Sequence, residues 1–387
     1  MMIYVLFFLI YFLRSHVCLN EGTQTILKEY LELERQIQPI NKPPIKSIHT
    51  EFGDIIDCID IYKQPSFDHP LLKDHKLQKK PNFHNLTGES SHTNLGTRFK
   101  FGLSKDECPK GTVPILRTRK DDHIREQSML NNHILAEGLP GIHLAEIYLL
   151  RKYGPYYGVT GINSIYNPRV DSKLQISMSH VWVEKGVRTS GNKISVGWHV
   201  APQLYGDYAS HFYTSWTSDN YQKTGCYNIQ CAGFIQTSKI HYLGARITNV
   251  SVYGGSVYDS LLSISMDPTT KNWWVIINNK FIGYFPAKLF SNLNKADHVG
   301  WGGRTYTEPA GSSSPQMGSG HFPDDSACYF RQMSFQDESR LAKEPNEHQM
   351  YPFVDKPTCY NIRNKGDKTR HFGYLFEFGG PGGSCGD

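Results

Sequence analysis

From about residue 140 onward the chain is a succession of short apolar runs, each broken within a few residues by Gly, Pro or Asn. Nothing else in the sequence restricts the fold as much. The runs fall at 145–153, 174–183, 193–200, 211–216, 233–236, 244–250, 259–267, 272–277, 280–285 and 298–302. They are rich in Val, Ile, Trp, Tyr and Phe, and between them only a turn or two of helix at 287–293 is expected. Many short strands at this spacing predict an all-β fold, an antiparallel β-sandwich of two packed sheets. The absence of a fixed-period repeat argues against a propeller.

Upstream the character changes. Residues 3–13 form an apolar block, shorter than the roughly 20 residues a membrane span needs, and read as a secretory signal. Residues 23–37 place Ile26, Tyr30, Leu33 and Ile37 at helical spacing and predict one amphipathic helix, stopped before Pro39. From 42 to 132 the chain is rich in Pro, Lys, His, Asn and Ser, with short strands expected at 55–62 and 111–117 and a loop over 73–110. Lys73, Lys76, Lys79 and Lys80 in that loop read as a solvated face. The predicted organisation is therefore a signal peptide at 1–20, a mixed pro-region at 21–135 and a sandwich domain at 136–387.

A formal net charge of +5 over 387 residues, with no concentrated basic stripe, excludes nucleic acid as the expected partner. After signal cleavage no membrane contact is expected either. Cys18 leaves with the signal, so seven of the eight cysteines remain and at least one is unpaired. Secretion favours pairing, and Cys226 and Cys231 lie close enough to close a tight bend. No Cys or His cluster has zinc-ligand spacing, so no metal and no cofactor is expected. The sequons at Asn85 and Asn249 are glycosylation candidates.

Several segments resemble the neprosin family of plant glutamic endopeptidases. In the N-terminal half these are Lys42-Pro43-Pro44-Ile45, the stretch from Gly53 to Pro65 around Cys58, Phe67-Asp68-His69-Pro70 and Cys108-Pro109-Lys110-Gly111-Thr112. They look like the family's activation peptide. In the second half Gly197-Trp198-His199-Val200, Leu204-Tyr205-Gly206-Asp207, Thr224-Gly225-Cys226-Tyr227, Trp301-Gly302-Gly303 and Gln316-Met317-Gly318-Ser319-Gly320-His321 look like its catalytic domain. The resemblance implies two packed antiparallel sheets, a pro-segment and, in active members, cleavage after proline. It also implies the disulfides Cys226–Cys231, Cys359–Cys385 and Cys58–Cys108, which leaves Cys328 as a buried free thiol.

The departure from the family lies at its chemistry. Hydrolysis by a glutamic peptidase needs one carboxylate to take a proton from water and a second acidic group to assist the leaving amine. The two family glutamates correspond to Ser195, three residues before Trp198, and to Arg304, directly after Trp301-Gly302-Gly303. An arginine stays protonated and cannot act as the base. The compensating carboxylates weighed are Glu308, four residues past Arg304, and Glu184, which reads as an exposed turn charge. A Ser195/His199 pair lacks the surroundings of a nucleophile elbow. His180, Trp198, His199 and Trp301 are the cleft candidates. The expected role is that of a secreted, extracellular pseudopeptidase binding a proline-rich or acidic peptide or a cell-wall polymer. Alternatives are an active prolyl endopeptidase using other cleft residues and a structural glycoprotein.

Overall fold

Strand pairing sorts the chain into three sheets in a computed structural model that describes Arg35 and residues 39–83, 97–98, 101–103, 107–119, 140–187, 190–367 and 373–386. The expected signal, nearly all of the 23–37 helix and Asn85 lie outside the described residues. A seven-stranded sheet runs in the order Cys226–Tyr227, Ser210–Thr217, Asn192–Val200, Ile176–Lys185, His298–Tyr306, Ile142–Leu149, Met350–Val354. All its pairings are antiparallel. The second sheet has eleven strands, and Tyr258–Met266, Gly158–Ser164, Cys328–Gln336 and Tyr374–Gly380 form the middle of its path.

The two-residue period of a strand puts alternate side chains on opposite faces. Along Asn192–Val200, Ile194, Val196 and Trp198 enter the core between the sheets, as do Val299 and Trp301 from His298–Tyr306 and Ala145, Ile147 and Leu149 from Ile142–Leu149. Lys193, Ser195, Gly197 and His199 therefore share the other face with Gly302, Arg304 and Glu146. This corrects one expectation: Trp198 and Trp301 do not line a cleft. Both are buried between the sheets, where their indole N–H groups donate to Ser164 O at 3.1 Å and Thr160 O at 2.9 Å. A buried indole satisfied by backbone packs as core.

The 244–250 run is not a strand. It is extended chain held by an isolated bridge between Arg246 and His211. The expected strand at 298–302 continues to Tyr306.

The upstream segment does not stand apart. Lys46–His49, Ile55–Asp60 and Thr112–Leu116 make a three-stranded sheet. Its residues Ile59, Val113 and Ile115, with Ile61 and Leu72 from the adjoining chain, belong to the same hydrophobic core as the sandwich. Polar contacts fix the docking. The Gln64 amide donates to Gln236 O at 2.9 Å and accepts from Gln236 N at 2.8 Å, as a strand neighbour would. Asp267 accepts from Gln78 and Asn82.

Disulfides join Cys58–Cys108, Cys226–Cys231 and Cys359–Cys385, with Cα separations of 5.5, 5.9 and 5.8 Å. Cys328 is a buried free thiol whose ionisation burial pushes up to about 12. Since the thiolate is the reactive form, a thiol-alkylating reagent at mildly alkaline pH should leave Cys328 unmodified until the protein is denatured. Rapid labelling of Cys328 in the native protein would contradict this placement.

Candidate functional site

Register brings five residues into one row across the outer face of the seven-stranded sheet. Gly302 is paired with Glu146 on one side and His180 on the other, and His180 is paired in turn with Gly197, which faces Tyr213. Side chains thus alternate with glycines, and each hydrogen bond in the row spans a bare position. His180 Nε2 lies 2.9 Å from Glu146 Oε1 across Gly302, and His180 Nδ1 lies 2.7 Å from the Tyr213 hydroxyl across Gly197. A Cβ on Gly197 would stand 1.9 Å from Ser179 O, and one on Gly302, whose φ is +148°, would stand 2.4 Å from Ala145 O. Neither position tolerates a side chain without moving the backbone.

Arg304 joins the row from the next outward position of its strand, with Nη2 3.5 Å from Glu146 Oε1. Glu146, His180 and Arg304 are all buried. Burial opposes ionisation of Glu146, yet the Arg304 charge and the His180 hydrogen bond outweigh it and hold the carboxyl at about 2. Burial, with Arg304 and Lys193 nearby, pushes the His180 imidazolium down against the opposing pull of Glu146. A neutral imidazole beside a carboxylate must place its proton on Nε2, so Nδ1 accepts from the Tyr213 hydroxyl.

Ser195 and Arg304, the two positions singled out by the resemblance, lie on this one face. Ser195 is level with Trp182 and Gly300, two strands from Arg304 and four residues along from it. Strand spacing and rise put their Cα atoms about 16 Å apart, with the His180 row between them. His199 does not form a pair with Ser195. Its Nε2 bonds the Tyr205 hydroxyl at 2.8 Å and its ring stacks on Tyr213 at 4.2 Å. Burial, with His211 and His180 nearby, pushes its imidazolium well below the usual range.

Glu308 lies beyond the strand and takes a hydrogen bond from the Tyr306 hydroxyl at 3.2 Å. Glu184 is no exposed turn charge. It pairs with Lys193 at 3.0 Å, and its side chain is only 17% exposed. The residue that sequence reading missed is Glu146. The alternation Ala145-Glu146-Ile147-Tyr148-Leu149 puts a lone carboxylate opposite an apolar face, which is a usable signal. Its partners, however, sit 34 and 158 residues away along the chain.

The neutral histidines set a pH dependence. Below about 6.5 the unfolded chain binds protons at positions 180 and 199 that the folded protein does not, so stability falls as pH falls. Glu146, held below its ordinary 4.5, adds to the loss as pH drops from there toward about 2. The urea unfolding midpoint should therefore be lower at mildly acidic than at neutral pH; an unchanged or higher midpoint would contradict the buried neutral assignment.

Fold and site together define the class, an antiparallel β-sandwich with a buried charged cluster on one outer sheet face and an N-terminal segment that shares its core. Residues 173–381 match the Neprosin family and residues 47–134 the Neprosin activation peptide. The chain belongs to the neprosin family. Among solved structures, two crystal structures of scytalido-glutamic peptidase bound to transition-state analogs align at 7% identity. They cover 62% of this chain and 99% and 98% of their own, with TM-scores of 0.34 and 0.31. A β-porphyranase from the human gut bacterium Bacteroides plebeius aligns at 9% identity over 72% of this chain and 88% of its own, with a TM-score of 0.19.

Proposed function

We propose that this protein is a secreted, non-catalytic member of its family, a pseudopeptidase whose outer sheet face binds a peptide or polymer without cleaving it. The observation that carries the reading is the Arg304–Glu146–His180 cluster. A guanidinium stands where the family's second glutamate is expected, and the nearby carboxylate is engaged by it and by a histidine. An acid catalyst must hold a proton at working pH, and a carboxyl held at about 2 does not. The other family position is a serine with no carboxyl to offer. Three disulfides agree with an oxidising compartment. Asn249 is exposed, as a glycan site requires.

Glu146 also supports a second reading, a peptidase that has moved its base to a neighbouring strand. That reading requires a second carboxyl facing Glu146; Glu184 is paired to Lys193 and Glu308 lies past the strand end. The discriminating experiment is incubation of a proline-rich peptide with purified protein from about pH 2 to 7. Intact peptide is expected throughout. Cleavage after proline that is lost in Glu146→Gln, under conditions where circular dichroism shows the variant folded, would establish the second reading.

A further inference from the structure

A cavity of about 240 Å³ opens on the same outer face, walled by Glu146, Tyr148, Trp182, Glu184, His298 and Phe353. We infer that it takes one pyranose ring of a neutral polysaccharide. The inference rests on the non-catalytic reading above and names its ligand class.

Three features select this chemistry. The charges around the cavity are matched in pairs: Glu184 with Lys193 at 3.0 Å and Glu146 with Arg304 at 3.5 Å. Among the described residues, these two carboxylates and two cations leave no net charge to attract an acidic or a basic ligand.

The walls combine ring surface with carboxylates. Tyr148 lies edge-on to His298 at 6.1 Å and within 5.3 Å of the Tyr351 ring. Tyr351 and Phe353, on the edge strand Met350–Val354, are 46% and 37% exposed and carry the aromatic ridge outward from the cavity. Lys193 sits 4.5 Å above the Trp182 ring, whose indole lies close over Gly300. Tyr148 and Phe353 are thus the stacking surfaces and Trp182 a wall.

The polar groups ask for a ligand that donates. Both hydrogen bonds to Glu146 land on Oε1, and Glu184 is paired through Oε2. Carboxylates only accept, and a proline-rich backbone lacks the N–H donors to satisfy them. Sugar hydroxyls supply those donors. The volume lies just below the roughly 300 Å³ at which small-molecule sites begin, which suits a single ring of a chain running out along Phe353 and Tyr351.

The test is titration of the full-length protein with cellohexaose and with mannohexaose, followed by calorimetry and tryptophan fluorescence, beside decaproline and polygalacturonate. At least one neutral hexasaccharide should bind saturably, with an affinity nearly independent of salt, since the ligand carries no charge to be screened. Phe353→Ala and Glu184→Gln should each weaken it by about tenfold or more, a loss of about 1.4 kcal/mol. Phe353 is exposed, so its variant should melt as the wild type does. Failure of both hexasaccharides to saturate at millimolar concentration overturns the assignment, as does unaltered binding by Phe353→Ala. Binding of decaproline or polygalacturonate in their place removes the sugar assignment but keeps the non-catalytic reading. Hydrolysis of a proline-rich peptide removes that reading itself.

Discussion

Replacing Glu146 by Gln is expected to lower the free energy of unfolding by about 3–5 kcal/mol, the range for removing one partner of a buried ion pair. Arg304 is 2% exposed and keeps its charge at every ordinary pH, so loss of the carboxylate leaves a guanidinium in low dielectric without that counter-charge. His180 loses the acceptor for its Nε2 proton at the same step. The partner substitution separates this from a general packing defect. In the Glu146→Gln background, Arg304→Met should recover much of the lost stability, because two neutral side chains no longer need each other. Denaturant unfolding of the two single variants and the double variant measures the coupling. A loss below about 1 kcal/mol for Glu146→Gln, or strict additivity in the double variant, would show that the pair is not a unit.

A chain beginning at residue 140 should fail to reach a native, soluble state. Ile59, Ile61, Leu72, Val113 and Ile115 are buried in the one core they share with the sandwich. Burying a side chain of that size is worth about 1.5–3 kcal/mol, so five of them outweigh much of the 5–15 kcal/mol that an ordinary domain has in total. Their removal also strips the Gln64 amide from Gln236 and the Gln78 and Asn82 donors from Asp267. The expected outcome is aggregation, or a product with weak near-ultraviolet circular dichroism. Cooperative unfolding of the truncated chain near the full-length midpoint would contradict a shared core.

Much of this architecture is legible in the sequence, and the limits have identifiable causes. Strands with period-two alternation, such as Asn192–Val200 and Tyr258–Met266, announce themselves because one face is apolar and the other polar. Gly158–Ser164 does not. Its sequence Gly-Val-Thr-Gly-Ile-Asn-Ser reads as a loop, yet every residue in it is buried between neighbouring strands. Cys328–Gln336 and Tyr374–Gly380, also central to the larger sheet, follow the last recognised run and escape for want of clean alternation.

The site divides in the same way. Ser195 and Arg304 are located by the motifs around them, which are local. The Glu146–Gly302–His180–Gly197–Tyr213 row is a property of strand order and register, and strand order joins Ile142–Leu149 to His298–Tyr306 across some 150 residues of chain. The tryptophans err in the opposite direction. Trp198 and Trp301 sit inside the most recognisable motifs, and their parity along the strand, opposite to Ser195 and Arg304, is what assigns them to the core.

The same geometry dictates how to test the central claim. Restoring the two family glutamates alone would set a carboxylate at position 304 beside Glu146, and two like charges there would disfavour ionisation of both. The informative variant is Ser195→Glu/Arg304→Glu/Glu146→Gln. The measurement is the rate of cleavage after proline in a proline-rich peptide at acid pH, wild type against this triple variant, with pepstatin present. General acid–base assistance is worth about 10²–10⁴-fold per group. The account predicts a wild-type rate indistinguishable from the peptide alone and a measurable rate for the variant. Wild-type cleavage as fast as the variant's, or faster, would contradict it.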